Sequence, residues 1–145
     1  MKLTKTPLKN DKLISVDEFK LWARIDNDEE DELLDELLES AINFFELKTN
    51  RVLKRAKFKA VLENEKVFFG ECDEIKILSG DIEIKTEYGA TCFSRSGEVS
   101  FVCGYEKVPL MIKLWIKNFA LNLYENRVND YKNDTVISYF RIKEF

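Results

Sequence analysis

Two hydrophobic periods divide this chain. Between Phe19 and Phe45 apolar residues recur every three or four positions, the spacing that puts them on one face of a helix. Phe19, Trp22 and Ala23 predict a short helix over 16–24. Ser15-Val16-Asp17-Glu18 before it fits a capping box, in which the Ser15 hydroxyl accepts from the Glu18 amide and the Glu18 carboxylate reaches back to the Ser15 amide. Leu33, Leu34, Leu37, Leu38, Ala41, Ile42, Phe44 and Phe45 predict a longer helix from about Asp26–Asp28 to Lys48, with the four leucines in the core. From Arg51 to Tyr105 the period falls to two: Phe58, Ala60, Leu62; Ile75, Ile77; Ile82, Ile84, Thr86, Tyr88; Val99, Phe101, Cys103, Tyr105. Alternation of this kind predicts strands. Ser79-Gly80-Asp81 and Arg95-Ser96-Gly97-Glu98 carry turn residues between them, so an antiparallel meander is expected.

The helical period returns after Pro109, whose missing N–H suits a first turn, and the third helix should run to about Asn126. Ile112, Ile116, Phe119, Ala120 and Leu123 form one stripe; Leu110, Leu114 and Leu121 form a second. Two stripes suggest burial on two sides, in a core and against another subunit. The last segment, VNDYKNDTVISYFRIKEF, opens polar and then gathers Val136, Ile137, Tyr139, Phe140 and Ile142, which either pack back on the fold or dock on a partner. The expected fold class is therefore α+β in a single domain: an N-terminal arm (1–14), a helical hairpin (15–50), a β region (51–106), a core helix (108–127) and a C-terminal tail (128–145).

Composition narrows the function. With 145 residues and 45% hydrophobic content, the chain can bury a core. Residues 1–50 have a balance of −6 and residues 51–145 of +2, for a net −4. Such a chain lacks the basic stripe of a protein that grips nucleic acid by its phosphates. No apolar run has the length of a signal peptide or a membrane span, so neither secretion nor membrane insertion is expected. Cys72, Cys92 and Cys103 form no CxxC pair and are expected as reduced, buried thiols. The absence of histidine removes the Ser-His-Asp and Cys-His nucleophile pairs and the usual zinc sites. No cofactor is implied.

The stretch RIDNDEEDELLDELLES holds nine carboxylates in the fourteen positions from Asp26 to Glu39. Asp26, Asp28 and Glu30 fall at the first ligand positions of an EF-hand, but Asp31 stands where its glycine belongs and Leu37 where its bidentate Glu belongs. DNA mimicry has nothing else behind it. Acidic residues beside the unpaired amides of a helix start account for most of the stretch, with Asp35, Glu36 and Glu39 left on an outward face. Glu83-Ile84-Lys85, with Asp73 as partner carboxylate, has the form of a nuclease strand that holds a divalent metal. Glu74-Ile75-Lys76 has it too, and the plainer account is an amphipathic strand with Ile82 and Ile84 inward. The basic run Arg51, Lys54, Arg55, Lys57 and Lys59 is either a solvated face or a surface that meets Asp35, Glu36 and Glu39 of a neighbouring copy, head to tail.

Three blocks in fixed order resemble the head-tail connector, or head-completion adaptor, family of tailed double-stranded DNA phages. They are LISVDEFKLWARIDNDEEDELLDELLESAINFFELKTNRVL, EVSFVCGYEKVP and VPLMIKLWIKNFALNLYENR. The resemblance implies a non-enzymatic structural protein of the virion neck, present in the host cytoplasm before assembly. It implies a homo-oligomeric ring, dodecameric as in related adaptors, beneath the portal protein. That ring extends a DNA channel without specific binding and carries a stopper or tail-completion protein. By the same resemblance the tail residues Val136, Ile137, Tyr139, Phe140 and Ile142 become candidates for portal contact, while Arg51, Arg55, Lys57 and Lys59 with Asp35, Glu36 and Glu39 are candidates for the subunit interface. A metal-dependent nuclease of phage origin and a generic host interaction module are the alternatives.

Overall fold

The computed structural model describes residues 1–127 and 134–143. In chain order its elements are β1 (Lys2–Pro7), α1 (Val16–Ala23), α2 (Asp31–Thr49), β2 (Ala56–Phe69), β3 (Cys72–Gly80), β4 (Glu83–Glu87), β5 (Ala90–Cys103), α3 (Leu110–Tyr124) and α4 (Thr135–Phe140). The fold class is α+β, as expected. The chain passes between two compact units: Met1–Asn10, Asn50–Glu106 and the segment from Ile142 form a β unit, while Asp11–Thr49 and Lys107–Arg141 form a helical one.

In the β unit all pairings between strands are antiparallel, in the order β1-β2-β5-β3, with β4 pairing β5 beside β3. A plain meander would pair each strand with the next; here β2 skips to β5, and β3 and β4 share its other side. The Arg95–Glu98 stretch, expected as a turn, lies inside β5. Its turn residues fold the strand over instead of reversing it. Phe58 and Phe69 are eleven residues apart on β2, which would separate them by about 36 Å in a straight strand. Their ring centroids are 6.1 Å apart. On β5, Phe93 and Phe101 likewise come to 4.8 Å.

The fold-over has a visible cause. A register shift between Leu62 and Glu65 inserts Asn64 at φ 49°, facing Arg95 at φ 73° and Gly97 at φ 144°. The Asn64 amide donates to the Ser96 hydroxyl at 2.8 Å. A Cβ on Gly97 would stand 2.2 Å from the Ser79 carbonyl oxygen, and one on Gly80 2.3 Å from that of Ser96. Only glycines allow the strands this approach. The coiled sheet encloses Phe58, Phe69, Phe93 and Phe101 with Ala60, Leu62, Ile82 and Val99. Tyr88 (φ 51°) and Gly89 (φ 71°) make a tight hairpin, β4 to β5, with the two positive φ values of a type I′ turn. Ile84, expected inward, is 38% exposed, because β4 is a five-residue strand at the open side of β5.

In the helical unit, α1 begins as expected: Ser15 accepts from the Glu18 amide at 3.1 Å. The other half of the box is replaced, for the Glu18 carboxylate lies 3.0 Å from Lys117 Nζ on α3. α2 starts at Asp31, later than its acidic run suggested, since Asn27 Oδ1 takes the Glu29 amide in a tight turn ahead of it. Leu34, Leu38, Ala41, Ile42 and Phe45 form its buried stripe. Leu33, expected in the core, lies beside that stripe and is 43% exposed. Phe44 stacks on Phe119 at 4.8 Å and Phe45 tilts against Trp115 at 5.1 Å, joining α2 to α3. Of the two stripes on α3, Ile112, Ile116 and Ala120 are buried, while Leu110 and Leu114 remain exposed.

The tail contains α4, which packs back through Ile137 and Phe140, with Phe140 at 6.4 Å from Phe45. The polar segment ahead of it, residues 128–133, lies outside the described residues, as do 144–145.

Candidate functional site

Four carboxylates of the acidic stretch, Asp28, Asp31, Asp35 and Glu39, are held by the protein's own lysines. Lys20, on the buried side of α1, donates to Asp28 and, at 3.0 Å, to Asp31. Those hydrogen bonds raise the Lys20 pKa and lower that of Asp28, so this ion pair stays charged across the ordinary pH range. Glu30 accepts from the Tyr124 hydroxyl at 3.1 Å, which pushes that phenol up. The acidic run is thus a junction that ties α1, α2 and α3 together. A calcium loop needs its carboxylates to converge on a cation, and here Asp28 and Asp31 share the Lys20 ammonium while Glu30 turns to Tyr124.

On the outward face of α2, Lys12 Nζ lies 3.4 Å from Asp35 and 3.7 Å from Glu39, while Glu36 is exposed. On the basic run, Arg55 holds Asp73 at 2.7 Å and Lys59 holds Glu98 at 2.8 Å. Lys57 is exposed on the same face of β2 as Lys59, and Arg51 is half-buried. Arg51 lines a cleft of about 260 Å³ with Gly70, Glu71, Gly104 and Tyr105, where burial raises the Tyr105 pKa.

The nuclease-like residues are each engaged elsewhere. Asp73 pairs with Arg55, Glu83 with Arg95 at 3.0 Å, and Lys85 with Glu87 at 3.5 Å. Among the described residues no three carboxylates or thiols converge as a metal site. Cys72 and Cys103 face each other across β3 and β5 as free thiols, and their hydrogen bond pushes Cys72 up and Cys103 down.

Of the five tail candidates, Ile137, Phe140 and Ile142 are buried, Val136 is half-buried and Tyr139 is 76% exposed. Asp134 positions them. One of its oxygens accepts from the Val136 and Ile137 amides at 3.0 and 3.2 Å; the other accepts from Trp115 Nε1 at 2.6 Å. Sequence reasoning passed over Asp134 and Lys20. The first carries a local signal, an Asp ahead of Thr-Val-Ile, whereas a lysine at the margin of an apolar face looks solvated until its acids are placed around it.

Among the described residues, the charged side chains singled out above are engaged in local ion pairs and hydrogen bonds or lie exposed. A family described as phage gp6-like head-tail connector protein matches residues 13–143. The chain belongs to that family. The connector's fold is shared with solved particle components. A chain of the virion of a native gene transfer agent particle is 14% identical, with a TM-score of 0.73, covering 100% of this chain and 97% of that one. A chain of the neck of an empty gene transfer agent particle, computed with C6 symmetry, is also 14% identical, at 0.68 over the same shares. None of the curated proteins matches. The connector's role is structural, in a phage-type particle.

Proposed function

We propose that this connector assembles as a homo-oligomeric ring in the virion neck, beneath the portal protein, where it extends the DNA channel and offers a platform to a stopper or tail-completion protein. The observation that carries this reading is the family match along residues 13–143. The full-length likeness to a chain from a neck computed with C6 symmetry agrees with it. A dodecamer is the expected size, formed from subunits made in the host cytoplasm. The protein is a scaffold and not an enzyme. DNA passes without specific binding, and an acidic net charge of −4 is compatible with a channel that repels the duplex.

Tyr139 and Val136 are the tail side chains that meet the portal; Ile137, Phe140 and Ile142 hold the segment in place from within. Lys57 and Glu36, exposed beside the locally paired members of their clusters, contribute to contact between copies, with Arg51, Arg55, Lys59, Asp35 and Glu39 setting the charge around them. Negative-stain imaging of the purified protein, alone and with portal, tests the reading. Rings in either sample support it. A protein that stays monomeric and ignores portal overturns it.

A further inference from the structure

The coiled sheet ends on two strands of opposite character. β1 forms one outer edge and β3 the other, and among the described residues no strand covers the far side of either. Exposed edges invite pairing with another chain unless they are blunted or covered. β1 carries Lys2 and Lys5, Lys9 follows it, and residues 1–10 contain no carboxylate. The β3–β4 segment, residues 71–87, holds six carboxylates against two lysines.

Some of this charge is used locally. Asp73 and Glu83 hold arginines, and Lys5 lies over the Phe58 ring. Lys2 and Lys9 at one edge, and Glu71 and Glu74 at the other, are exposed. Both edges also present large apolar side chains to water: Leu3 and Leu8 at 42% and 50% exposure, Ile77 and Leu78 at 49% and 48%. Through the order β1-β2-β5-β3, every neighbour antiparallel, β3 runs opposite to β1. A copy rotated about an axis along the strands therefore offers β1 to β3 in the sense the rest of the sheet uses.

We propose that β1 of one copy adds to the outer edge of β3 in the next, so that the sheet continues from subunit to subunit around the assembly. This rests on the ring reading above and names the contact that builds it. Edge-to-edge addition of unlike edges is heterologous, and it repeats until rotation closes it. A second copy is the favoured occupant because one chain carries both charge signs and both apolar pairs.

Mass photometry of three variants tests the pairing, with circular dichroism to establish that each is folded. Lys2→Glu with Lys9→Glu, and Glu71→Lys with Glu74→Lys, each place like charges across the contact and should lower the assembled fraction about tenfold or more. The quadruple variant should restore it. Unchanged rings in both double variants overturn the edge pairing and leave the ring reading standing. Wild-type protein that never assembles, alone or on portal, overturns the ring reading and the pairing with it. A second measurement needs no variant: carbodiimide joins touching amines and carboxylates, so wild-type assemblies should yield inter-subunit links from Lys2 or Lys9 to Glu71 or Glu74. Inter-subunit links found only elsewhere overturn the pairing.

Discussion

Asp134 offers the sharpest test of how the tail is held, because its two oxygens do separable work. One caps α4 through the Val136 and Ile137 amides; the other accepts from the Trp115 indole at 2.6 Å. Replacing an Asp cap by Ala costs about 1 kcal/mol. Loss of a hydrogen bond to a charged acceptor costs about 1.5–3 kcal/mol. Asp134→Ala should therefore weaken the docking of α4 by about 2.5–4 kcal/mol, enough to populate its open form roughly 10²- to 10³-fold more often. Asp134→Asn keeps a capping oxygen but turns an NH₂ toward the indole N–H, so it should lose only the second part. Hydrogen exchange at the Ile137, Ser138 and Arg141 amides reads the opening directly. Exchange in Asp134→Ala within about threefold of wild type would refute the reasoning, and Asp134→Asn matching Asp134→Ala would refute the division between cap and indole.

Three further outcomes follow from contacts already described. The Lys20 clamp should give stability that is full between the ordinary carboxylate and lysine ranges. It should be lost as pH falls through the depressed Asp28 pKa, and again as pH rises above 10.5 through the raised Lys20 pKa. Tm against pH for Lys20→Met should lack both contributions, and a profile parallel to wild type would contradict the clamp. Gly97→Ala, whose Cβ meets the Ser79 carbonyl oxygen, should cost about 3 kcal/mol or more in urea unfolding, against about 1 kcal/mol for Gly89→Ala, where the Cβ meets nothing within 4 Å. Tyr139→Ala should weaken portal binding with Tm unchanged, since its ring is mostly in water; equal binding by wild type and variant removes it from the contact.

Helices α1, α2 and α3 of this connector were legible because helix signals are local, whereas α4 in the tail was not predicted. Ser15 and Glu18 lie within one turn, the Leu34-to-Phe45 stripe repeats within one element, and Pro109 marks a start that the structure keeps. β1 was not legible. As an edge strand exposed along its whole length it needs no apolar alternation, and its partner residues Ala56–Val61 lie far along the chain. The Arg95–Glu98 stretch misled for a related reason: the same residues serve a reversal of the chain or a fold-over within one strand, and only the presence of Gly80 opposite Gly97 distinguishes them.

The candidate surfaces divide the same way. Residue order alone established the α+β class, the absence of histidine chemistry and three blocks that resemble a connector family. Which charges remain outward was a tertiary decision. Lys12 takes Asp35 and Glu39, Arg55 takes Asp73, and Tyr124 reaches Glu30 across 94 residues of chain. A helix period is set by neighbours a turn away, so the sequence determines it by itself. A charge is answered by whatever the fold brings within a few ångströms, and that is decided only when the chain has closed on itself.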